Sequence, residues 1–179
     1  MTPLHTDDFL IRPFEARDVS RFVAAVHETA TTLEPTMPWW KPDYSAKDAS
    51  KFFASCAEGI TAQKAYDVGI FQTDGSTFIG GISVNRIDPD YRIGYVGYWV
   101  RESMQNRGLC TMATEAIIEF GMNTLGLVRL EIVTMVDNSS SRRVAEKVGA
   151  TLECIAKNRI MHKGVPLPAA VYSIVPGSG

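Results

Sequence analysis

Between Gly94 and Phe120 the chain passes from a strand-like run into a helix-like run through one glycine-bearing turn. The run Gly94-Tyr95-Val96-Gly97-Tyr98-Trp99-Val100 is aromatic and β-branched, which suits a pleated surface. From Leu109, apolar residues recur at Met112, Ala113, Ala116, Ile117 and Phe120, the spacing of one helix face. About thirty residues further on the same order returns. Val128–Val136 reads as a strand apolar on both faces, and Asp137–Ser141 as a polar turn able to cap a helix. Arg142–Val148 then reads as the helix and Gly149 as its stop. Two strand–turn–helix units in succession imply parallel strands, because parallel neighbours require a crossover of this kind. They also bring Gly108 and the Asn138–Ser141 turn to the C-terminal ends of those strands, where a ligand crevice forms.

The turn itself, Met104-Gln105-Asn106-Arg107-Gly108-Leu109-Cys110-Thr111, opens a helix. Such a turn aims unpaired backbone N–H groups and the positive end of the helix dipole at one spot, and that spot suits phosphate. Gly108 leaves no Cβ in an anion's path. The same junction also serves as a plain connection in any α/β protein. Neither G-x-G-x-x-G nor G-x-x-x-x-G-K-[ST] occurs here, which disfavours a dinucleotide-binding oxidoreductase and a P-loop protein.

Elsewhere the pattern predicts a strand near Phe9–Phe14 and a helix from Arg17 burying Val19, Phe22, Val23 and Val26. A Pro-rich connection (Glu34–Pro42) leads to a helix over Ala46–Gln63 with Phe52, Phe53, Cys56 and Ile60 inward. Strands follow at Tyr66–Gln72, Thr77–Ile87 and Arg92–Val100, with a hairpin turn at Asp74-Gly75. Thr151–Met161 and Ala169–Val175 close the chain as a strand pair around Lys163-Gly164, with Gly164–Ala170 as an uncharged loop between them. The class is α/β, with a mixed central sheet flanked by helices.

At 179 residues the chain is expected to form one domain over 1–179, with a core over about 9–175 and a frayed tail from Pro176 to Gly179. A formal charge of −2 argues against gripping nucleic acid. No apolar run approaches a membrane span, and the start is polar and acidic, unlike a signal peptide. Cys56, Cys110 and Cys154 are far apart and odd in number, so they read as reduced thiols in a cytoplasmic protein and not as a metal site.

Gln105-x-x-Gly108-x-Cys110, the Gly97–Val100 strand, Asn138-x-x-Ser141 and Glu146-Lys147-x-Gly149 together resemble the GNAT acyl-CoA N-acyltransferases. Within that superfamily they are most similar to the RimJ/RimL-type branch, which acetylates protein N-termini. Leu10-Ile11-Arg12-Pro13, Met37-Pro38-Trp39 and Asn85-Arg86-Ile87-Asp88-Pro89 carry the resemblance over nearly the whole chain. It implies the GNAT fold, acetyl-CoA as cofactor, and direct acetyl transfer to a primary amine in a ternary complex without a metal. The expected acceptor is a protein or peptide α-amine. The alternatives are a small amine (aminoacyl nucleotide, antibiotic or polyamine) and a CoA-binding module without turnover. The expected assembly is a monomer or homodimer.

The resemblance also implies roles for residues. Gln105, Asn106, Arg107, Gly108, Leu109, Cys110 and Thr111 would hold the pyrophosphate, and Arg143 or Lys147 the 3′-phosphate. Two parallel strands would splay beside Trp99 and Val100, freeing the Val100 N–H for the thioester oxygen. Ser141 would return a proton to the leaving thiolate and Asn138 would steady the arm. Capping a helix is the competing explanation for both. Cys110 is read as a small residue in a tight turn, or as a thiol activated by the helix start. Where many relatives carry a carboxylate base this chain has Tyr95 or Val96, so the amine proton would leave by a water wire with backbone carbonyls, or to His27, Glu28 or Glu34 of the first helices, with the Tyr95 hydroxyl also in reach of the cleft. Trp39 and Trp40, with Glu34, would form the acceptor side, as cleft wall or core plug.

Overall fold

The computed structural model describes residues 1–177, so Ser178 and Gly179 of the expected tail lie outside the described residues. The elements are β1 (Leu4–His5), β2 (Leu10–Arg12), α1 (Val19–Glu28), α2 (Ala30–Leu33), α3 (Ala46–Thr61), β3 (Tyr66–Phe71), β4 (Phe78–Asp88), β5 (Ile93–Val100), α4 (Leu109–Glu119), β6 (Arg129–Met135), α5 (Ser139–Lys147), β7 (Thr151–His162) and β8 (Val165–Ile174). The strands form one eight-stranded sheet in the order β1-β2-β3-β4-β5-β6-β8-β7. Only β5 and β6 run parallel.

Helices α1 and α3 cover the β2–β5 part of one face, closing a core around Phe22, Val26, Phe53, Phe71 and Phe78. A buried ion pair fixes this layer. Asp18, fully buried ahead of α1, accepts from Arg12 of β2 at 2.7 and 2.9 Å and from the Glu15 N–H at 2.8 Å. Helices α4 and α5 cover the other face, where Ala113, Ile117, Ala145, Leu130 and Ile132 are buried. None of the described helices is long and apolar enough to cross a membrane.

The structure corrects four of the sequence expectations. The first strand is only Leu10–Arg12, since Pro13 lacks the N–H to continue pairing, and a short partner at Leu4–His5 was not anticipated. Phe52 is 36 % exposed, because the buried stripe of α3 runs through Ala49, Phe53 and Cys56 and leaves its neighbour at the edge. β6 alternates: Leu130, Ile132 and Thr134 are buried, whereas Arg129 and Glu131 lie half-buried on the other face and pair at 2.8 Å. The expected loop at Gly164–Ala170 is strand almost from its start. Lys163 (φ 46) and Gly164 (φ 80) make a two-residue hairpin turn, and β8 begins at Val165. Pro166 and Pro168 are tolerated because β8 pairs with β6 only from Ala169 onward, leaving their other edge open.

The parallel pair is short. β5 and β6 are in register only at Ile93↔Arg129, Gly94↔Leu130 and Tyr95↔Glu131. From Val96 and Ile132 the two strands part, and two cavities converge on the gap between them.

Candidate active site

The first cavity, about 620 Å³, lies between the splayed end of β5, the 104–111 turn, the 137–141 turn and the segment after α2. Its floor is main chain. Arg101 N–H donates to Ile79 O on β4 at 2.9 Å, so strand alternation turns the N–H and C=O of Val100 and Tyr98 away from β4, into the gap. Gln105 confirms this direction by donating from Nε2 to Val100 O at 3.0 Å.

The turn into α4 adopts left-handed conformations at Asn106 (φ 60) and Gly108 (φ 78). A Cβ built on Gly108 meets nothing within 4 Å, so the space beside the turn is empty. Helix α3 starts with a reciprocal capping box between Ser45 and Asp48, but α4 has a glycine N-cap, no side-chain cap and no acidic residue in its first turn. The first N–H groups of α4 are therefore left for another acceptor. Arg107, Arg143 and Lys147 line the same cavity, and among the described residues none of them joins a salt bridge. Their neighbour Arg142 is engaged instead, donating to Tyr172 Oη at 3.0 Å and Val136 O at 3.2 Å. An uncapped helix start, a vacant glycine turn and unpaired cations fit a phosphorylated cofactor.

Opposite the turn, Asn138 Oδ1 accepts from Ser141 N–H at 3.1 Å and caps α5. Tyr98 Oη reaches across the gap, donating to Ser141 O at 3.0 Å and lying 3.2 Å from Ser141 Oγ. Burial raises the Tyr98 phenol above its usual range, so it stays protonated. The structure thus sets two hydroxyls side by side at the gap, and sequence reading had found only Ser141. Cys110 also lines the cavity, and burial pushes its thiol up to about 12, which works against a thiolate there.

The second cavity, about 520 Å³, opens on the α1/α3 face and shares Met37, Tyr98 and Trp99 with the first. Phe14, Phe22, Trp39, Tyr44 and Phe52 wall it. Trp99 lies flat over Gly81, where a Cβ would stand 2.6 Å from the indole Nε1. Trp99 therefore lines both cavities. Asp67 enters the second cavity from β3, alongside Ser83 and Asn85 of β4. Burial raises its carboxyl, while hydrogen bonds with Ser83 and Asn85 act the other way. Sequence reasoning passed over Asp67. The available signal was a carboxylate placed second in an otherwise apolar strand.

Trp39 lines this second cavity, but Trp40 lines neither: it packs against the aromatic core with its Nε1 buried and unpartnered. Glu34 sits beside Lys163 of the β7–β8 hairpin tip at 3.3 Å, outside both linings. Glu28 is held by Arg101 and by the Ser103 N–H (2.8 Å), which bring its carboxyl down to about 2. It anchors the end of β5 to α1 and is a poor proton acceptor. His27 contacts Tyr44 O at 2.8 Å on an exposed stretch of α1. The Tyr95 ring lies between the Arg86 and Arg159 guanidiniums, 5.8 and 5.6 Å away, and the fold does not bring it to either cavity.

Comparison with known proteins agrees with this geometry. Residues 8–151 match the acetyltransferase (GNAT) domain family. The uncharacterized N-acetyltransferase YoaA of Bacillus subtilis (strain 168) is 28% identical over 172 residues, 96% of each chain. The ribosomal-protein-serine acetyltransferase of Escherichia coli (strain K12) is 39% identical over 84 residues, 47% of this chain and 46% of that one. The solved structure of RimL, a ribosomal L7/L12 α-N-protein acetyltransferase in complex with coenzyme A, superposes with a TM-score of 0.87 at 22% identity, covering 95% of each chain. The chain belongs to the GNAT acetyltransferase family.

Proposed function

We propose that this GNAT N-acetyltransferase acetylates the N-terminal α-amine of a protein or peptide, with the first cavity holding acetyl-CoA and the second receiving the acceptor. The observation that carries the reading is the parting of β5 from β6 after Tyr95, which turns main chain that no neighbouring strand pairs toward an uncapped helix start.

Acetyl-CoA supplies an activated acetyl thioester. The N–H groups at Gly108–Thr111 take its pyrophosphate, and Arg143 with Lys147 takes the 3′-phosphate. The freed main chain of Tyr98 and Val100 pairs with the pantetheine arm as with an added strand. Val100 N–H aims at the thioester oxygen and stabilises the charge that develops there. Ser141 Oγ–H would give its proton to the departing sulfur and be made good by the proton that the attacking nitrogen loses, with the protonated Tyr98 hydroxyl 3.2 Å behind it. An α-amine has an ordinary pKa near neutrality, well below a lysine's, and so needs less help in shedding its proton. That suits a site whose expected base candidates are tied up elsewhere. Acetyl-CoA use and unpaired thiols both fit a cytoplasmic setting.

Thioester consumption measured with free-amine peptides, their N-terminally blocked counterparts and small amines tests the assignment. Acetylation of the free peptides at the N-terminus, read by mass spectrometry, is the expected result. Turnover on small amines alone would replace the acceptor class. Acetyl-CoA binding without any thioester consumption would leave a CoA-binding module.

A further inference from the structure

We infer that the second cavity is a subsite for a second positive charge on the acceptor, received by the Asp67 carboxylate with Ser83 and Asn85 and walled by Trp39, Tyr44 and Trp99. This rests on the N-acetyltransferase reading and specifies which amines that site selects.

Asp67 is a half-buried carboxylate that joins no salt bridge among the described residues; it stands opposite Ser83 on β4, with Asn85 in the same lining, and burial is the largest influence on it. Lys51 lines the same cavity, yet it stays exposed and forms no ion pair with Asp67. Holding a carboxylate partly out of water with no positive partner is unfavourable, and a ligand's cation would relieve it. The walls favour the same guest. Trp39 lies 5.8 Å from Tyr44 and 6.1 Å from Trp99 between ring centroids, so aromatic faces surround the approach to the carboxylate.

Register decides which positive group enters. Asp67, Ser83 and Gly97 stand opposite one another on β3, β4 and β5. The Asp67 backbone is thus two strand spacings, roughly 10 Å, from β5. Val100 N–H faces the other way, into the gap toward β6. A nitrogen attacking beside Val100 lies beyond hydrogen-bond reach of Asp67, so the charge that Asp67 receives is a different one, carried on an apolar stem past the aromatic walls. A basic side chain at a peptide's amino terminus and the far end of a diamine share this chemistry.

Two matched pairs separate those sources: short peptides beginning with arginine or its neutral isostere citrulline, and hexamethylenediamine or hexylamine. Calorimetric titration of the CoA-loaded protein with each member reads affinity without turnover. The charged member is expected to bind about tenfold tighter in at least one pair, which names the source. Asp67→Asn should bring that ratio close to one, Asp67→Glu should keep a preference, and retained acetyl-CoA binding shows that each variant is folded. Equal binding within both pairs, or an undiminished preference in Asp67→Asn, overturns the inference. Acetyl-CoA binding without charge preference sinks only this subsite, whereas loss of acetyl-CoA binding by the unaltered protein sinks the acetyltransferase reading with it.

Discussion

Where the first cavity presents main chain, with the open strand edge of β5, the bare start of α4 and the glycine turn before it, the second presents aromatic rings around the Asp67 carboxylate, with Asp48 tied to Lys41 at its edge. The difference bears on what each can recognise. Backbone groups in a fixed arrangement bind what every acetyl-CoA molecule shares, phosphates and an amide-bearing arm, and they tolerate changes of side chain around them. Rings and an acid discriminate by shape and charge, so substitutions there change which acceptor fits. The two meet at Tyr98 and Trp99, and Arg101–Glu28 joins the strand of one to the helix of the other.

The sharpest way to break the contrast is Gly108→Val. A β-branched residue is strained at φ 78 and its side chain would enter the vacant space beside the turn. Acetyl-CoA affinity should fall by more than about a thousandfold, roughly 4 kcal/mol, in a calorimetric titration. Ser141→Ala should instead leave acetyl-CoA binding nearly intact and lower kcat by about a hundredfold, because it removes a proton donor and keeps the Asn138 cap on a backbone N–H. Normal turnover would take Ser141 out of the mechanism. Arg143→Ala and Lys147→Ala should each weaken acetyl-CoA binding by about fivefold at low salt and by less at high salt, since both charges sit at a solvent-facing edge.

The joint between the regions gives the smallest effect, and it depends on pH. Glu28 titrates at about 2 in the folded chain against an ordinary 4.5, so its contribution to stability is present above about 4.5 and is lost as pH falls toward about 2. Glu28→Gln should cost about 1 kcal/mol at neutral pH, and its unfolding free energy should decline less steeply than the parent's over that window. Urea denaturation at stepped pH reads both.

The same contrast explains what was legible beforehand. The crossover, the mixed sheet and the cofactor turn were readable because glycine, cap residues and hydrophobic period act locally and leave their mark at fixed spacing. Gly108, Asn138 and Ser141 stood out for that reason. Asp67, Ser83 and Asn85 did not, because only the pairing of β3 with β4 brings them together. Tyr98 looked like one more strand aromatic until the splay placed its hydroxyl against Ser141. Tyr95, three residues earlier in the same strand, could not be told apart by composition, and Trp40 could not be told from Trp39. β6 misled for a related reason: its apolar count suggested cover on both faces, but Arg129 and Glu131 share one face as an ion pair, and Arg129 also pairs with Glu153 of β7.

The most direct test of a cofactor cleft built from main chain is calorimetric titration of the protein and of Gly108→Val with acetyl-CoA, its 3′-dephospho form and NAD. The account predicts binding of acetyl-CoA by the parent, weaker binding of the dephospho form, none of NAD, and none by the variant. Failure of the parent to bind acetyl-CoA, or equal binding by a folded Gly108→Val, would contradict it.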